Sequence, residues 1–139
     1  MRLLLKQALF VELLSGLIRY AGPRGYILTL GEGHIDLPRL RGALKDILGR
    51  PPTPQEVRKV YGHRLSGTHP RKLGQDLNLF LLRRGRLTWI RTAHPAWNDL
   101  GEYWLALDPL CRWGGKFKSR AGKPTGDYNH FSLAHLGAA

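Results

Sequence analysis

Residues 74–90 read GQDLNLFLLRRGRLTWI and contain the clearest β pattern of the chain. The pattern predicts a strand over 74–82, a turn at 83–85 and a returning strand over 86–90. Side chains alternate along a strand, so Asp76, Asn78 and Phe80 share one face, and the leucines that follow each share the other. A β-hairpin with one apolar face therefore stands at the centre of the predicted structure.

Helices and further strands flank this hairpin on both sides. Apolar spacing and capping residues predict helices over 3–20, 54–61 and 96–107, and a further helix that Asp36 caps and that ends at Ile47 or Leu48. Short β-rich runs predict strands over 26–30 and 130–134, and the glycine- and lysine-rich residues 113–126 are predicted to be irregular. The order indicates an α+β fold, with helices packed on a small, mainly antiparallel sheet. With 139 residues, we expect a single domain over 1–139.

Charge and cysteine content restrict the classes of function. The net charge of +12 predicts attraction to a polyanion, either nucleic acid or an anionic cell envelope. The single cysteine, Cys111, excludes an intramolecular disulfide framework and any cysteine-rich zinc site. No run reaches the roughly 20 apolar residues of a membrane span, and polar residues interrupt the leucine-rich start, so we expect a soluble protein without a signal peptide.

Histidine and carboxylate side chains remain as candidate metal ligands. His69 lies in the basic loop before the hairpin, Asp76 lies on its first strand, and Asp127 precedes His130 near the end of the chain. A hydrolytic zinc site needs about three such ligands and a base that collects the proton of the attacking water. Considered alone, however, a histidine and an aspartate at the spacing of His69 and Asp76, or of Asp127 and His130, are more often a surface histidine and a strand-edge or capping carboxylate. Spacing alone leaves both interpretations open.

Four sequence blocks together resemble one known family. They are residues 69–80 (HPRKLGQDLNLF), 100–104 (LGEYW), 112–117 (RWGGKF) and 127–131 (DYNHF). In this order they resemble the phage-encoded members of the zinc D-Ala-D-Ala carboxypeptidase and L-alanyl-D-glutamate endopeptidase family. The first helix and first strand are similar as well, so the resemblance covers nearly the whole chain.

The resemblance implies a function and a role for each candidate residue. His69, Asp76 and His130 would bind one Zn²⁺ per chain in a surface cleft, and Asp127 would be the catalytic general base. The substrate would be a peptide bond in the stem or cross-link peptides of bacterial peptidoglycan. An endolysin of this kind is made in a host cytoplasm and acts on the cell wall or periplasm. We expect a monomer that the positive charge directs to the anionic envelope.

The sequence departs from the family pattern at one mechanistic position. The family usually places an arginine, which would stabilise the oxyanion, shortly after the glycine and glutamate that match Gly31 and Glu32, but residues 31–36 (GEGHID) contain none. His34, Arg39 or Arg64 are the candidates to replace it.

Two other functions compete with the peptidase. One is a basic nucleic-acid-binding protein, suggested by aromatic and basic residues interleaved over 83–91 and 113–120. The other is a non-catalytic zinc-binding relative that binds the cell wall. Nucleic acid is the weaker expectation, because it leaves the histidines and aspartates of the four blocks unexplained.

Several remaining residues are expected to be structural. Trp97, Tyr103 and Trp104 are predicted to face the core, and Cys111 to be buried packing. Trp113 is a candidate to line the cleft. We expect His63, His94 and His135 at the surface, and Lys116, Lys118, Arg120 and Lys123 in a basic loop beside the site.

Overall fold

The structure is a computed structural model that describes residues 2–31, 37–61 and 72–137. In this part of the chain, four α-helices and two short 3-10 turns accompany five strands. The helices are α1 (Leu3–Ala21), α2 (Leu37–Leu48), α3 (Pro54–Tyr61) and α4 (Pro95–Leu107). The strands are β1 (Tyr26–Leu30), β2 (Gly74–Arg83), β3 (Arg86–Trp89), β4 (Cys111–Trp113) and β5 (His130–Leu133). The predicted α+β class is confirmed. No helix in the described ranges is long and apolar enough to cross a membrane.

The long strand β2 organises the sheet. The strand order is β1-β2-β5-β4, β3 also pairs with β2, and every pairing is antiparallel. The two-residue turn between β2 and β3 places Arg84 at φ 51° and Gly85 at φ 75°. Two successive positive φ values are those of a type I′ turn, whose twist matches that of paired strands. The predicted hairpin is confirmed, with strand ends shifted by one residue.

One face of β2 supplies the centre of the core. Leu77, Leu79 and Leu81 are buried, whereas the residues between them are partly exposed, as the alternation predicted. Helices α1 and α4 cover the leucines, and the rings of Phe10 and Trp104 meet edge to face with centroids 5.9 Å apart. The aromatic stripe of α4 is therefore core, as expected.

The capping box of α3 is also confirmed. The Thr53 hydroxyl accepts from the backbone N–H of Glu56 at 3.2 Å, and the Glu56 carboxylate accepts from the N–H of Thr53 at 3.0 Å. Arg50 donates to the same carboxylate at 2.8 Å, and this hydrogen bond lowers the pKa of Glu56 to about 2.

Strand β4 was not predicted. Residues 113–126 were expected to be irregular, but Cys111–Trp113 pairs with β5 and places Trp113 opposite Phe131. A strand of three residues is too short to show an alternation, and it forms here because β5 offers a partner edge. The expectation for residue 113 was therefore wrong.

Asp99 joins three elements of the fold. Its carboxylate on α4 accepts from the hydroxyl of Tyr20 on α1 at 2.6 Å and from that of Tyr26 on β1 at 2.8 Å. Arg24 lies 3.7 Å from the same carboxylate and over the Tyr20 ring. The pKa of Tyr20 is raised mainly by its hydrogen bond to Asp99, and that of Tyr26 mainly by burial and then by Asp99.

Replacing this carboxylate should destabilise the fold. We expect Asp99→Asn to lower Tm by about 3–6 °C, because a neutral amide accepts less strongly than a carboxylate. A tyrosine pKa raised above the unfolded value of about 10 contributes stability that is complete below pH 10 and is lost as the pH rises through the folded pKa. The Tm difference between variant and wild type should therefore shrink above pH 10.

The control is Asp46→Asn, since Asp46 is an exposed residue of α2. Calorimetry between pH 7 and about pH 11 measures the Tm of both variants and of the wild type. Equal Tm values for Asp99→Asn and Asp46→Asn would contradict the assigned role of Asp99.

Candidate active site

The fold brings together two of the three predicted metal ligands. Asp76 on β2 and His130 on β5 are directly paired in the antiparallel register. Directly paired residues project to the same face of a sheet, so their side chains meet. Oδ1 of Asp76 lies 3.3 Å from Nδ1 of His130, and the two side chains are 13% and 8% exposed. Residues far apart in sequence thus form one largely buried polar pair.

The geometry of this pair suits a zinc ion. Two ligands that each lie about 2.0–2.1 Å from a tetrahedral zinc are roughly 3.3 Å from one another. The separation in the structure is that value, and it is also the length of a weak hydrogen bond from Nδ1 to the carboxylate. A carboxylate and an imidazole are the donor types that zinc takes in hydrolytic sites.

The third predicted ligand, His69, lies outside the described residues. Among the residues that the structure does describe, no group of three or more His, Cys, Asp and Glu side chains could hold a metal. His34 and Arg64, two candidates for the oxyanion role, also lie outside them, and Arg39 lies at an exposed position near the start of α2.

Asp127, the predicted base, lies in the loop that leads into β5. Its backbone carbonyl accepts from the N–H of His130 at 3.2 Å, and the Asn129 carbonyl accepts from the N–H of Leu77 at 2.9 Å. The loop is therefore tied to both strands that carry the Asp76–His130 pair. Asp127 itself is half-buried, so water can reach this part of the loop.

Trp113 packs against this loop from the side of the core. Its indole Nε1 donates to the carbonyl of Tyr128 at 2.7 Å, and the ring is buried. The ring also packs against the backbone of Gly101 and Gly115 so closely that a Cβ at either glycine would collide with it. The suggested role of Trp113 in lining a cleft is thus replaced by a core position under the loop.

Gly114 fixes the position of Asp127 more directly. A Cβ on Gly114 would collide with the backbone carbonyl of Asp127, so only glycine permits this approach of the two segments. Together with the Trp113 hydrogen bond, this contact sets where residue 127 lies relative to β5. The sequence showed a tryptophan followed by two glycines but contained no signal that these residues support the loop.

Phe117 lies beside His130. The two rings lie 5.5 Å apart between centroids, at an interplanar angle of 51°. An aromatic side chain beside the imidazole restricts its rotation and limits access of water. This contact was not predicted either.

Three neighbouring residues make contacts that the sequence did not indicate. His94 is the half-buried N-cap of α4, where its Nδ1 accepts from the N–H of Ala96 at 3.0 Å. His135 is half-buried and contacts Nζ of Lys6 at 3.3 Å. Lys116 forms an ion pair with Glu102 at 2.8 Å, which offsets its charge within the predicted basic loop. His63 lies outside the described residues.

Comparison with protein-family models and with curated proteins finds no match for this chain. The assignment of the site therefore depends on its residues, their geometry and the resemblance of the sequence blocks.

Substitution of Gly114 tests the contact that positions Asp127. Gly114→Ala should lower the free energy of unfolding by about 1–3 kcal/mol, because the added methyl group forces the two segments apart. Gly42→Ala is the matched control, since Gly42 is exposed on α2 with no atom within 4 Å of an added Cβ. That variant should be neutral or more stable by up to about 1 kcal/mol. Urea denaturation compares them, and equal stabilities would contradict the close contact.

Alkylation tests the environment of Cys111. The side chain is buried, and burial raises the pKa of its thiol to about 12. Because the thiolate is the reactive form, iodoacetamide at pH 8 should leave the native protein unmodified and should modify it fully in concentrated urea. Mass spectrometry gives the result, and rapid modification of the native protein would contradict the buried position.

Proposed function

We propose that this protein is a zinc-dependent peptidase that hydrolyses a peptide bond in the stem or cross-link peptides of bacterial peptidoglycan. The observation that carries the proposal is the Asp76–His130 pair, with its 3.3 Å separation, beside the loop of Asp127. The resemblance of four ordered sequence blocks to the phage-encoded D-Ala-D-Ala carboxypeptidase and L-alanyl-D-glutamate endopeptidase family supports it. The net charge of +12 suits an anionic cell wall.

The residues divide the chemistry between them. Asp76 and His130, with His69, would hold the metal, which when bound supplies a Lewis acid that acidifies water and polarises a carbonyl. Asp127 would take the proton of the attacking water on its carboxylate and then deliver it to the nitrogen of the leaving amine. Gly114 and Trp113 would keep that carboxylate at a fixed place beside the Asp76–His130 pair. Phe117 would limit the rotation of His130.

Nucleic-acid binding is the second candidate function. The observation that favours it is Trp89 on β3, which is 50% exposed and has the Arg91 guanidinium 4.5 Å from its ring centroid. Exposed aromatic and basic side chains of this kind stack on bases and neutralise phosphates. This function would leave the Asp76–His130 pair without a role, so we rank it second. A zinc-binding relative that binds the wall without cutting it is a third candidate.

Metal content and peptidoglycan digestion test the proposal. The purified protein should contain about one zinc per chain by mass spectrometry, and it should release free amino groups from peptidoglycan without reducing sugars. EDTA should abolish this release. Asp127→Asn should lower turnover by about 10²–10⁴-fold with zinc retained, whereas Asp46→Asn should change neither.

The outcomes separate the three candidate functions. Zinc without any cleavage would favour the non-catalytic relative. Tight binding of an oligonucleotide with no zinc and no cleavage would favour nucleic-acid binding. Full activity of Asp127→Asn would show that another residue is the base.

A further inference from the structure

A cleft lies where two strands separate along one edge of β2. Strand β1 pairs with one edge of β2. Strands β5 and β3 share the opposite edge, where β5 pairs with residues 74–76 and β3 with residues 80–83. The segments that border the gap between β5 and β3 are each attached to β2 by one backbone hydrogen bond. The N–H of Leu77 donates to Asn129 at 2.9 Å, and the N–H of Ile90 donates to Leu79 at 2.8 Å. The gap is therefore held open by the sheet itself.

The cleft has a volume of about 240 Å³ and adjoins the candidate active site. One wall includes Gly126, Tyr128 and Asn129, which surround Asp127 in sequence. The opposite wall includes Trp89 and Arg91. Pockets that bury a drug-sized ligand measure about 300–1,000 Å³, so this one suits a single residue of a longer chain.

The charge of the cleft favours an anion. Among the described residues that line it, Arg91 is the only charged one. The guanidinium lies over the ring of Trp89 at 4.5 Å, and within the described residues it makes no ion pair. Stacking on an indole leaves the N–H groups at the edge of the guanidinium available, and these bind a planar carboxylate in a bidentate manner.

We propose that this cleft is a subsite that receives a carboxylate-bearing residue of the peptide substrate, with Arg91 as the carboxylate partner. The inference rests on the proposed peptidase function, since stem peptides carry free carboxylates. Binding there would place a neighbouring peptide bond beside Asp127, because the cleft and the base share the loop of residues 126–129. Arg91 would thus contribute to specificity and not to the chemical step.

Amidated peptides test the subsite separately from cleavage. The probes are a synthetic stem peptide, Ala-γ-D-Glu-Lys-D-Ala-D-Ala, and two versions with a carboxamide at the D-Glu α-carboxylate or at the C-terminus. Calorimetry in the zinc-loaded Asp127→Asn protein measures binding without turnover. We expect at least one amidation to weaken binding by about 10-fold or more, because it removes a charge-assisted bidentate pair.

Two arginine variants in the same background identify the partner. Arg91→Gln should weaken the acid peptide to the level of the amidated one and leave the amidated peptide unchanged. Arg86→Gln removes the same charge from an exposed position on β3 outside the cleft, so it should preserve the preference for the acid. The comparison excludes an effect of net charge alone.

Four outcomes would overturn the subsite. Two concern the preference for the acid peptide: equal affinity for acid and amidated peptides, or a preference that survives Arg91→Gln. The other two are no binding of any peptide, and an Arg91→Gln variant that loses affinity only for a single-stranded oligonucleotide. Cleavage of peptidoglycan without an Arg91-dependent preference would leave the peptidase function standing and remove the subsite. An Arg91-dependent preference without cleavage would support the subsite and contradict the peptidase function.

Discussion

The register of β2 against its neighbours is the constraint on which the rest of the structure depends. Leu77, Leu79 and Leu81 must face the helices, so a shift by one residue would expose all three and bury Asp76 and Asn78. The same register places Asp76 opposite His130. Burial of the core and assembly of the candidate site are therefore enforced by one pairing.

The loop of Asp127 is supported by residues of the core and not by contacts within the loop. Trp113 is a core residue whose indole N–H reaches the carbonyl of Tyr128. Gly114 permits the close approach of the next segment to Asp127, where no side chain would fit. A carboxylate that must act on a substrate is held best by elements whose own positions are fixed by packing. Damage to this part of the core should consequently affect the site before it affects the distant helices.

The basic side chains of this protein differ in what they contact. Lys116 is paired with Glu102, and Arg24 is engaged with Asp99 and Tyr20. Arg91 differs from both, because it stacks on an aromatic ring at the wall of a cleft whose described lining residues include no carboxylate. Net charge supplies long-range attraction to an anionic surface, whereas an arginine held in this way can distinguish one anionic group from another.

Several local elements of this protein could be predicted from its sequence. The hairpin of β2 and β3, the capping box of α3 and the apolar face of α4 follow from alternation, turn residues and helical spacing, which act over a few residues. Three features depend on tertiary packing: the contact of Asp76 with His130, the strand at Cys111–Trp113, and the position of Trp113 and Gly114 against the loop of Asp127. These contacts join segments distant in sequence, and they form because packing of the core selects one register among many that local patterns allow.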